Sequence, residues 1–235
     1  MGGKRADTGA DTGDDLLVSF FRAKGYALVT KPRGEYLSYY GLDQSSVIVL
    51  VSGVVKASVI LREGREFNIS FIQAPSPVSL LRDEESAHTA SPFNVRVVSP
   101  EASYLVVPRV VFWGFVNEDE ELLRYIKDYY RANLEHSLRR VRYLTMNGKT
   151  GAVGALLHEW ARRFGVPCGG DEPDSLRIAL PISNEDIACF CGISSRNSVN
   201  RILRGFREAG IISTGRGDLE IVVHDMAALS RYVMD

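Results

Sequence analysis

Between Ala27 and Pro108 the apolar residues fall in short runs of Val, Ile, Tyr and Phe, separated at close intervals by Gly, Pro, Asp and Ser. That rhythm predicts an all-β unit. Its clearest stretch runs from Ser46 to Leu61, where Gly53 interrupts a β-branched run, and continues through Arg62-Glu63-Gly64-Arg65 into Glu66 to Ile72. Turns at Gly53 and at Glu63-Gly64 predict two hairpins. Residues 94–98 and 103–107 supply two more strands, the second ended by Pro108. The proline-bearing stretch from Gln73 to Pro92 reads as a loop closing over or beside the β-structure. Residues 1 to 14 carry almost nothing apolar, so they cannot offset their ordering entropy and read as a mobile tail.

The period then changes. From Asn117, read as an N-cap with Glu118, Asp119, Glu120 and Glu121 in the first turn, the chain reaches Met146 without Gly or Pro. This predicts one long helix, with Arg139, Arg140 and Arg142 at the end that a helix dipole prefers for cations. Leu123, Tyr130, Leu134, Ser137, Val141 and Leu144 recur at about 3.5-residue spacing, broken at Lys127, and form a seam suited to a second copy of itself. The competing reading is a helix packed only on its own β-unit. A second helix over 152–164, a Gly/Pro/Asp-rich loop over 165–175 and a short strand over 175–181 lead into the last block.

Ser183-Asn184-Glu185-Asp186 is a Ser-x-x-Asp capping signal, and the helix it opens is ended by Gly192. Ser194-Ser195 can cap a second helix from Arg196 to Ala209, closed by Gly210, with Ile187, Val199, Ile202, Leu203 and Phe206 as the shared core. Two short helices joined by a Gly-containing turn form a helix-turn-helix. Ile211 to Val223 then reads as a hairpin with Gly215-Arg216-Gly217 at its tip, a basic wing.

Charge sharpens this reading. The 235 residues are 45% hydrophobic and 24% charged, with a net charge of -1, so the chain as a whole makes no electrostatic case for nucleic acid. Between Ser194 and Arg216, however, five arginines (196, 201, 204, 207 and 216) face one acid, Glu208. Arg196, Asn197, Asn200 and Arg201 lie at the helix start, where a recognition helix reaches base edges, and Ser194, Ser195 and Ser198 can donate to phosphates. Ser183, Arg204 and Arg216 complete the expected DNA-binding set. No apolar run approaches the roughly 20 residues that a bilayer requires, and the N-terminus lacks a secretory h-region. Three cysteines, Cys168, Cys189 and Cys191, cannot all pair within the chain, which points to a reducing cytoplasm.

The block Ser183 to Val223, with Asp186-Ile187-Ala188, Gly192 and Val199-Asn200-Arg201-Ile202-Leu203, resembles the DNA-binding domain of the Crp/Fnr family of bacterial transcription regulators. Ser46 to Phe71, with Gly53 and Gly64-Arg65-Glu66, resembles the family's β-roll, and Val107 to Phe112 resembles the segment leading into its dimerisation helix. The resemblance covers roughly residues 20 to 235 in order. It implies an α+β chain: tail 1–14, β-roll effector domain 15–112, dimerisation helix 113–147 and winged helix-turn-helix 148–235.

Some residues depart from the family's pattern. Where its recognition helix carries an Arg-Glu pair, this chain has Arg196-Asn197, and Asn favours adenine where Glu accepts from cytosine. The turn between Gly192 and Val199 is one residue longer than usual. The Gly-Glu and Arg-Ser or Arg-Ala motifs that hold cyclic nucleotides are missing from Pro77 to Phe93, no cysteine precedes Cys168 to hold an iron–sulfur cluster, and His88, His136, His158 and His224 show no paired spacing for haem. No cofactor or metal is therefore expected. Cys189 and Cys191 read as core packing, with redox or metal sensing as the competing reading. An unidentified small effector is expected against Phe71, Gln73, Val78, Leu80, Leu81, Arg82, Tyr129, Tyr130 and Asn133.

The expected function is a dimeric, sequence-specific regulator of double-stranded DNA at an inverted-repeat operator, working with RNA polymerase if it activates. One alternative is a small-molecule sensor acting through protein partners. A cupin-like β-roll enzyme is a third reading, disfavoured because clustered His/Glu ligands, a Ser-His-Asp set and a phosphate loop are all missing.

Overall fold

Asp15 sits at the head of an apolar run, and its carboxylate accepts hydrogen bonds from the backbone N–H groups of Leu17 and Val18 at 3.1 and 3.2 Å. This cap starts α1 (Leu16–Ala23), which buries Leu17, Val18 and Phe21. The sequence reading did not foresee the helix, although its cap and its i, i+4 apolar pair were visible. The computed structural model describes residues 15–42, 44–78, 90–169, 174–215 and 220–233, so the tail expected over 1–14 lies outside the described residues. The chain divides into two units. One runs to Val59 and resumes over Ser70–Tyr129, and the other comprises Ile60–Ile69 and the chain from Tyr130 onward.

The first unit is a two-sheet β-roll. Its strands are β1 (Val29–Pro32), β2 (Tyr36–Ser38), β3 (Ser46–Ser52), β4 (Val54–Ile60), β5 (Glu66–Gln73), β6 (Ser76–Val78), β7 (Asn94–Val97) and β8 (Glu101–Pro108). One sheet has the order β1-β8-β3-β6, the other β2-β7-β4-β5. Val47, Val49, Leu105 and Val107 from the first and Val55, Ala57, Val95 and Val97 from the second, at alternate positions, lie in its buried core, and in β3 and β4 the residues between them are buried too.

Of the two expected hairpins, only the one at Glu63-Gly64 forms, closed by Leu61 N–H to the Arg65 carbonyl at 2.8 Å. Gly53 instead passes the chain from one sheet to the other, since β3 pairs with β6 and β8 while β4 pairs with β5 and β7. It does so at φ 88°, against the backbone at Glu101, whose carbonyl oxygen would lie 2.5 Å from any Cβ added there. A glycine inside a β-branched run marks a hairpin or a sheet crossing equally well, and only the pairing partners decide between them.

After Pro108 the chain turns into α2 (Arg109–Glu118), and after a break at Asp119 into α3 (Glu120–Met146). The expected start at Asn117 is corrected by this break. Asp119 is extended (φ -115°, ψ 115°), and its Oδ1 accepts from the N–H groups of Glu121 and Leu122 at 2.9 and 3.1 Å, making it the cap. Among the described residues no helix is long and apolar enough to cross a membrane.

The second unit holds α4 (Gly148–Phe164), which starts four residues before the expected helix, then β9 (Gly165–Pro167) and β10 (Leu176–Ile178), α5 (Asn184–Cys191), α6 (Arg196–Glu208), β11 (Ile212–Thr214), β12 (Ile221–Val223) and α7 (Met226–Ser230). Its sheet has the order β11-β12-β10-β9. The architecture is α+β, a β-roll followed by a long helix and a winged helix-turn-helix.

Candidate nucleic-acid interface

The helix pair is built by local chemistry. Ser183 Oγ accepts from the Asp186 N–H at 3.0 Å while the Asp186 carboxylate accepts from the Ser183 N–H at 3.1 Å, a reciprocal capping box. The Ser183 hydroxyl also donates to the same carboxylate at 2.6 Å, so its proton is already used within the cap. Gly192 closes α5 in the left-handed region at φ 63°. Ser195 then takes the N-cap position of α6 without bonding its hydroxyl to the first turn.

On α6, Val199, Leu203 and Phe206 are buried, spaced as one helical face, as are Ile187 and Phe190 of α5, with the Phe206 ring 6.0 Å from Tyr232 and the Phe190 ring 5.0 Å from Trp160. Ile202, expected in the shared core, is only half-buried. The opposite face carries Asn197, Arg201 and Arg204, with Arg196 and Arg207 on the flank beside the buried stripe, all five exposed, and Ser198 and Asn200 half-buried between. Asn200 is not simply displayed: Asn184, buried at the first turn of α5, donates its Nδ2–H to Asn200 Oδ1. A groove of about 420 Å³ beside this face is lined by Lys149, Thr150, Ser198, Arg201, Ile202 and Tyr232, which adds Lys149 to the cations along the edge of α6. Lys149 was not singled out from sequence, because it stands at the start of α4, far from the arginine cluster.

The wing is a true hairpin, with Ile212, Ser213 and Thr214 opposite Val223, Val222 and Ile221 and Gly215 N–H on the Glu220 carbonyl at 2.9 Å. Arg207 donates to Thr214 Oγ1 at 3.3 Å, linking the end of α6 to β11. Arg216 lies outside the described residues.

Arg140, on α3, lies 5.7 Å from the Phe67 ring and 5.3 Å from the Phe190 ring, and donates to the carbonyls of Asn68 and Phe190 at 2.7 and 2.8 Å. It thereby ties residues 67 and 68, which belong to the second unit, to the first helix of the pair, and Asn68 Nδ2–H donates to the Asp186 carbonyl at 3.4 Å. Burial pushes the Cys191 thiol up to about 12, outweighing the opposite pull of the Arg140 charge. Such a thiol carries almost no thiolate at neutral pH, which favours the packing role over redox sensing. Cys189, two residues away, is half-buried, with its Sγ 3.9 Å from Glu185 Oε1. Among the described residues no three His, Cys, Asp or Glu side chains converge to hold a metal ion.

Along α3 the seam residues divide. Leu134 and Val141 are 62% and 58% exposed and Ser137 is exposed, whereas Leu123, Tyr130 and Leu144 are half-buried. Leu138, at i+4 from Leu134 and also 62% exposed, belongs to the same stripe, although a strict 3.5-residue count steps over it. Of the effector residues, Phe71 and Val78 are buried in the β-roll, and Tyr129 donates its hydroxyl to the Pro77 carbonyl at 3.0 Å. Gln73 is exposed at the end of β5. Tyr130 and Asn133 belong to the second unit, and Leu80, Leu81 and Arg82 lie outside the described residues.

Comparison with known proteins matches this arrangement to one group. The Crp-like helix-turn-helix domain matches residues 152–232. The lactate racemization regulatory protein of Lactiplantibacillus plantarum is 42% identical over 199 residues, covering 85% of this chain and 88% of that one. The anaerobic regulatory protein of Bacillus subtilis is 24% identical over 215 residues, covering 89% and 86%. Among solved structures, FixK2 from Bradyrhizobium japonicum superposes with a TM-score of 0.72 at 20% identity, over 89% of this chain and 98% of that one. A CooA mutant from Carboxydothermus hydrogenoformans gives 0.72 at 16%, over 94% and 97%. The structures speak for the shared fold, and the 42% identical regulator speaks for more than fold. With its arginine-faced helix pair inside the matched segment, the chain belongs to the Crp/Fnr family of DNA-binding transcription regulators.

Proposed function

We propose that this regulator works as a homodimer whose α6 helices read an inverted-repeat operator. The observation that carries this is the two-sidedness of α6, with Val199, Leu203 and Phe206 buried on one face, Arg201 and Arg204 exposed on the other and Arg196 and Arg207 exposed on the flank. Arg196, Asn197, Asn200 and Arg201 are the base-edge readers. Ser194, Ser195, Ser198 and Arg204 hold phosphates, with Arg216 on the wing, whereas Ser183, expected among them, spends both its donors on Asp186 in the cap of α5. A two-fold axis between α3 helices, through Leu123, Tyr130, Leu134, Ser137, Val141 and Leu144, sets half-sites about one DNA turn, roughly 10 base pairs, apart.

Within this reading residues 15–112 form the effector domain, 113–147 the dimerisation helix and 148–235 the DNA-binding domain, acting in the cytoplasm and contacting RNA polymerase if the protein activates. The chain is not an enzyme and carries no cofactor. Its effector is a small molecule other than a cyclic nucleotide, with haem and iron–sulfur sensing also set aside, because the motifs for all three are missing from the sequence. The relative's name makes D- and L-lactate the first compounds for a thermal-shift screen.

Selection of bound sites from random duplexes tests the reading. An imperfect palindrome is expected, and Arg201→Ala should lose about 1–3 kcal/mol at the selected site and relax one base pair. Recovery of no palindrome, or unchanged binding by Arg201→Ala, removes α6 as the reader.

A further inference from the structure

The first residue of α5 and the second turn of α6 are joined by two amides. Asn184 is 5% exposed and Asn200 half-buried, and the Asn184 Nδ2–H donates to Asn200 Oδ1. Asn200 stands on the reading face, one turn beyond Arg196 and Asn197 and directly before Arg201. An asparagine that recognises adenine in the major groove must bring Nδ2 and Oδ1 together to one base edge, donating to N7 and accepting from N6. An asparagine whose oxygen is turned inward to a buried partner offers outward only its N–H donors.

We propose that Asn184 is a positioning residue that fixes the polarity of Asn200, so that Asn200 acts as a donor and selects an acceptor-bearing base edge: guanine through O6 and N7, or thymine through O4. Cytosine presents only an amino donor there and meets the Asn200 N–H groups donor to donor, while adenine accepts one N–H at N7 but sets its N6 amino donor against the other. This rests on the reading of α6 as the DNA reader and assigns one base pair of each half-site. It separates the two asparagines of the helix: Asn197, fully exposed, keeps both amide atoms for a base, whereas Asn200 is committed by its neighbour on α5. Asn184 also keeps a cost in place, because its own Oδ1 is buried without a hydrogen-bond partner among the described residues.

Site selection with the full-length protein and its variants tests the assignment. The wild type is expected to favour guanine or thymine at one pair per half-site, roughly five- to tenfold over the other two bases, and Asn200→Ala to lose that preference alone. Asn184→Ala frees the Asn200 amide and is expected to relax the same pair while leaving affinity for non-specific DNA and Tm within a few per cent of wild type. Asn184→Asp can only accept at this contact, so the Asn200 amide reverses and the preference moves to adenine or cytosine; Asn184→Ala keeps the test open if the aspartate variant does not fold. An unchanged base preference in Asn184→Ala, or wild-type selection of adenine or cytosine at the pair that Asn200→Ala relaxes, overturns the proposal. A palindrome that Asn200→Ala leaves wholly intact overturns it without touching the reading of α6, whereas failure of the wild type to select any motif removes that reading and this proposal together.

Discussion

Glu159 shows how one side chain binds two helices. On α4, it accepts from His136 of α3 at 2.9 Å and from Arg163, one turn along its own helix, at 3.2 Å, with 21% of its side chain exposed. Burial pushes its carboxyl up, but the hydrogen bond and charge of His136, helped by Arg163, outweigh this and hold it below the ordinary value of 4.5. A carboxyl lowered on folding stabilises the fold above its unfolded value, and that contribution is lost as pH falls through the folded value. Glu159→Gln should therefore cost about 1–2 kcal/mol at neutral pH, and the difference from wild type should shrink below pH 4.5. Urea melts from neutral pH down to about pH 3 measure it; a difference that stays constant in acid would mean that the ionised carboxylate is not what holds the helices. Residue roles were legible where partners lie within one turn, as with Ser183 and Asp186. Asn184 with Asn200, and Arg140 with Asn68, are separated by 16 and 72 positions, and nothing in the local pattern couples them.

Among the elements, the joint between α2 and α3 rests on Asp119, whose single carboxylate satisfies two otherwise unpaired N–H groups. Asp119→Ala should lower stability by about 1 kcal/mol, read as a drop in Tm without a change of fold by circular dichroism. A loss no larger than that from Asn117→Ala would restore the sequence reading, in which Asn117 was the cap. The acidic run from Glu118 to Glu121 told that a helix began there but left the cap open by two residues, because every candidate carries a side-chain acceptor. Strand positions were legible for the same reason that their pairing was not. Alternation reports which face of a strand is buried, while the partner strand is set by the whole roll, so the crossing at Gly53 looked like a hairpin. The helices of the DNA-binding unit were legible almost to their ends, since caps, turn and buried stripe all agree there.

For the whole molecule the decisive quantity is how many copies it takes to make one reader. Leu134, Leu138 and Val141 place three large apolar side chains, each more than half exposed, in line on α3. Such a stripe is what the proposed pairing of two chains would cover. Light scattering should return twice the 26.0 kDa chain mass, and Leu134→Arg or Val141→Glu should halve it with the helix content retained; a wild-type monomer at micromolar concentration refutes the pairing. The same stripe has a consequence for gene control. When two chains must meet before either can hold an operator, occupancy at low abundance rises with the square of chain concentration. A twofold change in expression then becomes nearly a fourfold change in bound operator, and the amount of the protein in the cell becomes a signal in its own right, alongside any molecule that the β-roll binds.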